Sequence, residues 1–126
     1  MRTKQVILVR RDLNMSAGKA AAQVGHGAIM FLHDHVRFNR PLSRPQIEWL
    51  YGELRGDPAF IHGGMKKVVL AVADLKEMLA VAEFALGCGL EVHLVHDEGL
   101  NCTTVCAIGP DEEKNIDPVT DHLELY

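Results

Sequence analysis

The apolar positions of this chain follow two rhythms, and their alternation predicts an α/β fold. Val6-Ile7-Leu8-Val9 is apolar continuously rather than alternately, which predicts a strand over residues 4–10 covered on both faces. The next stretch, from Ser16 or Ala17 to Leu32, is rich in small residues and predicts a helix. Ala20, Ala21, Val24 and Ala28 would let its backbone approach a sheet closely. A polar segment carrying Asp34, His35, Arg37, Asn39, Arg40 and Pro41 then breaks the pattern. Ser43 and Gln46 read as a capping box with Pro45 in the first turn and Leu42 and Ile47 as a staple, so a second helix starts there. Ile47, Leu50, Tyr51 and Leu54 give it one apolar stripe.

Gly56 to Gly64 reads as a loop and Lys67 to Val72 as a second strand. Asp74, with Glu77 completing a second capping box, opens a third helix that Gly87 and Gly89 end. Leu90 to Val95 reads as a third strand and Thr104 to Ile108 as a fourth, closed by Gly109-Pro110. Asp117-Pro118 marks the start of a short last helix. Strands alternating with amphipathic helices predict a three-layer α/β sandwich around a mixed or parallel sheet. About eight residues separate the last two strands, too few for a helical crossover, so that pair is not expected to be parallel neighbours.

Composition narrows the picture. A chain of 126 residues, 48% hydrophobic and 24% charged, fits one soluble domain over residues 1–126. No apolar run approaches the ~20 residues of a membrane span, and the run after Lys4 is too short for a signal-peptide core, so a cytoplasmic protein is expected. Cys88, Cys102 and Cys106 are odd in number and lack CxxC spacing, which argues against a disulfide framework and a structural zinc site. The net charge of −4 offers no global attraction to nucleic acid. An RNA partner would need a local patch, and Arg10, Arg11 and Lys19 can supply one.

The chemistry concentrates around the first helix. Lys19, Gln23 and His26 recur at i, i+4 and i+7 and would put an ammonium, an amide and an imidazole in one stripe. The third strand runs into His96-Asp97-Glu98-Gly99, and ligands of open α/β sheets gather at the carboxyl ends of strands. Asp97 would then face Lys19, Gln23 or His26, the equipment for activating water and stabilising an oxyanion in ester hydrolysis. Singly, each residue has a plainer reading: His26 as a hydrogen-bonded helix residue, Lys19 as a solvated charge, Asp97 as turn chemistry. Their convergence is what points to a site. Ser16-Ala17-Gly18-Lys19 lacks the first glycine and the Ser/Thr of a phosphate loop, which excludes nucleotide hydrolysis on that motif. His33-x-His35 and His93-x-x-His96 lack metal-ligand spacing.

Met15 to Gly27 resembles the signature helix of type-two peptidyl-tRNA hydrolases, the archaeal and eukaryotic type, whose members carry Met-Gly-Lys-Gly-Lys, then Ala-Ala-Gln and a His-Ala pair. The likeness continues through Lys66-Lys67-Val68-Val69-Leu70, His96-Asp97-Glu98-Gly99, Thr104-Val105, Ile108-Gly109-Pro110 and Val119 to Tyr126, nearly the whole chain. It implies a four-stranded mixed sheet flanked by helices, commonly dimeric. The implied activity is metal-independent cleavage, with no cofactor, of the ester joining a peptide to the 3′ end of tRNA. Lys19, Gln23, His26, Asp97 and Thr104 match family positions linked to the active site. Departures stand at Ala17 for the first signature lysine, Ala71 for a second-strand lysine, His96 for a glutamine, and a shortened Gly99–Thr104 segment. They predict a weaker grip on RNA.

The leading expectation is therefore hydrolysis of peptidyl-tRNA by a homodimer, with Lys19, His26 and Asp97 catalytic and Gln23, Thr104, Arg10 and Arg11 holding substrate. The alternative is a non-catalytic module that binds a tRNA end or a protein. A third possibility is a hydrolase of small esters or amides.

Overall fold

A computed structural model describes residues 1–52 and 64–126. Four strands, β1 (Thr3–Arg10), β2 (Lys67–Val72), β3 (Val92–Asp97) and β4 (Cys102–Glu112), form one sheet in the order β2-β1-β4-β3. β1 pairs in parallel with β2 and antiparallel with β4, and β3 is antiparallel to β4, so the sheet is mixed. β1, β2 and β3 consequently run the same way, and their carboxyl ends share one rim. The helices are α1 (Ala17–Arg37), α2 (Arg44–Tyr51), α3 (Leu75–Gly87) and α4 (Glu113–Thr120).

The unbroken apolar run of β1 splits its side chains between two cores, because successive residues on a strand point to opposite faces. Val6 and Leu8 pack with Met78, Val81, Ala82 and Ala85 of α3 and Ile116 and Val119 of α4. Ile7 and Val9 pack on the other face with Val95, Val105 and Ala107, against Val24 and Ala28 of α1. Helices thus cover both faces. The expected close approach of α1 occurs at Gly27, where a Cβ would lie 3.2 Å from Val105 Cγ2.

The capping box at α2 forms as read, and at α3 only the half made by the Asp74 side chain does. Ser43 and Gln46 cap α2 reciprocally, and Asp74 accepts the Glu77 N–H at the start of α3. The Leu54 position of the α2 stripe and most of the Gly56–Gly64 loop lie outside the described residues.

Several boundaries differ from the sequence expectation. α1 continues through the polar residues to Arg37, since Asp34 and His35 are drawn inward by partners on the sheet. β3 starts at Val92 and reaches Asp97, two residues later at each end than expected. β4 begins at Cys102 and passes through Gly109-Pro110 to Glu112 instead of stopping there. Gly109 makes this continuation workable: its φ is +88, and a Cβ would sit 2.9 Å from the Asp111 nitrogen. α4 begins at Glu113, before Asp117-Pro118, and carries Pro118 inside it. β3 and β4 are joined by a tight hairpin turn, in line with the short spacing between them.

Beyond its middle, α1 is tied to the start of β3 by ionisable side chains. Glu91 accepts from His35 Nε2 at 2.7 Å on one oxygen and from His93 Nε2 at 2.9 Å on the other. His93 Nδ1 in turn faces Asp34 Oδ2 at 3.1 Å. Burial alone would raise the Glu91 carboxyl, but the hydrogen bonds from His93 and His35 outweigh it and hold its pKa down at about 2.

Candidate active site

The other half of α1 meets the end of the β3–β4 hairpin. Along the β3–β4 ladder Val95 pairs with Val105 and His96 with Thr103, so Thr104 is the extra residue of a β-bulge. Its buried hydroxyl donates to Gln23 Oε1 at 2.6 Å. Gln23, itself buried on the inner face of α1, donates from Nε2 to Asp97 Oδ2 at 2.7 Å. The amide has one workable orientation, since a carboxylate only accepts and the hydroxyl must then give its proton to the carbonyl.

Asp97 ends this chain of hydrogen bonds half-buried at the rim. Its Oδ1 accepts the Leu100 N–H at 2.8 Å, so it closes the hairpin turn as well as facing α1. The Leu100 N–H, then the Gln23 amide, together with the Gly99 N–H and the positive charge available on His26, hold its carboxyl below the usual aspartate range; partial desolvation opposes them without prevailing. The carboxylate is ionised in neutral solution.

A cleft of about 290 Å³ opens over this carboxylate, lined by Lys19, Ala22, Gln23, Asp97, Gly99 and Leu100. Lys19 is exposed in the first turn of α1, where Ser16 Oγ caps its backbone N–H. His26 is exposed one turn beyond Gln23. The expected stripe is thus divided. Gln23 points to the sheet, while Lys19 and His26 stay on the solvent side near Asp97.

The arginines differ from one another. Arg10 donates Nε and Nη2 to the two oxygens of Asp12 at 3.0 and 2.7 Å, and Nη1 to the Thr103 carbonyl at 3.0 Å. Its guanidinium is occupied with holding the strand beside the bulged Thr104. The hydrogen bond to Asp12 raises its already high pKa further. Arg11 is exposed; it donates Nη2 to the Leu125 carbonyl at 3.0 Å and lies over the Tyr126 ring at 5.7 Å. Sequence reasoning did not single out Gly99 and Leu100, whose N–H groups serve Asp97, although Asp97-Glu98-Gly99 carried the turn signal. Nor did it find the partners of His35 and His93. Among the described residues, no three His, Cys, Asp or Glu side chains converge to hold a metal. No helix among them is long and apolar enough to cross a membrane.

Residues 3–126 match the family profile described as Peptidyl-tRNA hydrolase PTH2. The chain belongs to that family. Similar proteins, each named peptidyl-tRNA hydrolase, include that of Methanopyrus kandleri, 40% identical over 128 residues and 97% of each chain. Those of Sulfolobus acidocaldarius, 37% identical over 97% of this chain and 98% of its own, and Thermococcus onnurineus, 34% identical over 98% of each, align as completely. The departures noted within the family pattern have definite places. Ala17 is the exposed first residue of α1, Ala71 is buried on β2, and His96 is exposed beside Asp97.

Proposed function

We propose that this chain hydrolyses the ester between a peptide and the 3′ end of tRNA. One observation carries the reading: a chain of hydrogen bonds from Thr104 through Gln23 ends on an ionised Asp97 in a cleft that also holds Lys19. Membership of the family supports the substrate.

A carboxylate held below its ordinary range is a weak proton acceptor, so Asp97 suits orientation and charge stabilisation better than proton abstraction. An imidazole serves as general base near neutral pH, and His26 stands where its charge bears on Asp97. In the proposed step, His26 takes a proton from a water whose oxygen attacks the ester carbonyl. The Lys19 ammonium faces the oxyanion that develops. Collapse breaks the carbonyl carbon–ribose oxygen bond, and the His26 imidazolium returns its proton to the departing 3′ oxygen. Gln23 and Thr104 act by fixing Asp97. Arg11 remains available for the RNA.

We read the enzyme as a cytoplasmic homodimer, in keeping with three free thiols and with the exposed Leu79, Phe84 and Leu86 of α3. Sedimentation measures the dimer directly. Activity is tested with purified protein and a peptidyl-tRNA. Hydrolysis lost in Asp97→Ala is expected; no hydrolysis above that variant would end the reading, and salt-sensitive RNA binding without hydrolysis would favour a binding module.

A further inference from the structure

A second cleft, of about 310 Å³, is lined by Arg11, Asn14 and Met15 of the β1–α1 connection and by Tyr126. The mechanism above makes no use of it. Its aromatic wall is firmly seated: residues 124–126 pair along the outer edge of β2, with Ala71 N–H donating to Glu124 O at 2.8 Å and Tyr126 N–H to Val69 O at 3.1 Å. Tyr126 nevertheless stays 43% exposed, with the Arg11 guanidinium over its ring. Among the described residues Arg11 pairs with no carboxylate, unlike Arg10. Arg11 therefore keeps its charge for a ligand.

We propose that the Tyr126 ring and the Arg11 guanidinium bind the single-stranded nucleotides that precede the ester-bearing nucleotide of tRNA, the ring by base stacking and the guanidinium by contact with a phosphate. This rests on the proposed hydrolysis and adds the subsite that recognises RNA. An aromatic face beside a cation is the combination that holds single strands without reading sequence, because every base has a π-face. The layout fits. β3, which carries Asp97, and β1, which leads into Arg11, stand two strand spacings apart, about 10 Å, so a strand with its ester at Asp97 reaches Arg11 within a short run of nucleotides. The net charge of −4 makes such a local contact necessary, since the protein as a whole repels RNA.

The test compares the protein with Tyr126→Ala and Tyr126→Phe on two substrates: an N-acetyl-aminoacyl-tRNA and the same N-acetyl-aminoacyl ester on adenosine alone. Tyr126→Ala should raise KM for the tRNA substrate about tenfold with kcat nearly unchanged. Tyr126→Phe should restore the parent KM, and on the adenosine ester all three proteins should agree. A trinucleotide containing 2-aminopurine should show fluorescence quenching with the parent and with Tyr126→Phe but not with Tyr126→Ala. The proposal is overturned if Tyr126→Ala keeps the parent KM on tRNA, or if it is equally impaired on both substrates, which would mean the ring acts through the fold. A parent protein inactive on both substrates would refute the hydrolase reading instead, and the trinucleotide would still decide the subsite.

Discussion

Two hydrogen-bonded networks cross the same seam between α1 and the β3–β4 hairpin, one near each end of the helix, and they are finished differently. Toward the end of α1, Glu91 has both oxygens taken by His35 and His93, and Asp34 has both taken by His33 and His93. The His35 and His93 side chains are each only 9% exposed. Near its start, the relay from Thr104 through Gln23 ends on a carboxylate that opens into a cleft lined by an exposed ammonium, with the charge of an exposed imidazole bearing on it. A network whose acceptors are filled from within stabilises the fold; one that ends at solvent keeps bonding capacity for a ligand. The contrast assigns architecture to one end of the helix and chemistry to the other.

Substitutions that exchange these roles would break the contrast. The largest effect is expected for Asp97→Asn, which removes the charge opposite the base: kcat for peptidyl-tRNA should fall roughly a thousandfold, with a melting temperature close to the parent's. Glu91→Gln should do the reverse. It leaves two buried imidazoles facing one poorer acceptor, so about 2 kcal/mol of stability, or roughly 8 °C in Tm, is expected to go while kcat of the folded enzyme is retained. If Glu91→Gln abolished activity without destabilising, the two ends would not be separate.

Gln23→Leu comes next. Losing one hydrogen bond to a charged group costs about 1.5–3 kcal/mol, which as lost positioning lowers kcat by about 10- to 100-fold. It also gives a pH signature. The Asp97 carboxyl is lowered in part by the Gln23 amide, so its own titration, followed by carboxyl-carbon NMR, should lie below the ordinary aspartate range in the parent and move upward in the variant. For stability the acid-side group is Glu91. Its folded pKa of about 2 lies below the usual 4.5, so its contribution is complete above pH 4.5 and lost as pH falls toward 2. Melting curves over that interval should fall less steeply for Glu91→Gln than for the parent.

Much of this contrast was legible in the residues, and unevenly so. The continuous run Val6 to Val9 announced a strand buried on both sides because periodicity is a local property. The Lys19, Gln23, His26 spacing put three functional groups on one helix for the same reason, whereas Asp97 was brought to them by the rule that ligands gather at strand ends. What spacing left open was which of the three turns inward, because that depends on a bulge at Thr104 created by pairing with a strand elsewhere in the chain. The extension of α1 to Arg37 was hidden likewise. Asp34, His35 and Arg37 look like a helix end until Glu91 and His93, more than fifty residues away, supply partners. Local signals carried the elements; cross-chain partners decided orientation.

Arg10 gives the smallest expected effect. From the sequence it belonged with Arg11 as a contact for RNA, yet its guanidinium is bound by Asp12 and by the Thr103 carbonyl. If Arg10 held a phosphate, Arg10→Gln would weaken RNA binding and flatten its salt dependence by about 0.7 in logarithmic slope. Acting through Thr103, it should leave that slope unchanged and cost only about threefold to tenfold in kcat, the scale of one hydrogen bond that steadies a neighbouring catalytic contact. Arg11→Gln, by contrast, should flatten the slope while sparing kcat. Titrating binding of the tRNA substrate against salt for the two variants separates an arginine that shapes the site from one that meets the RNA.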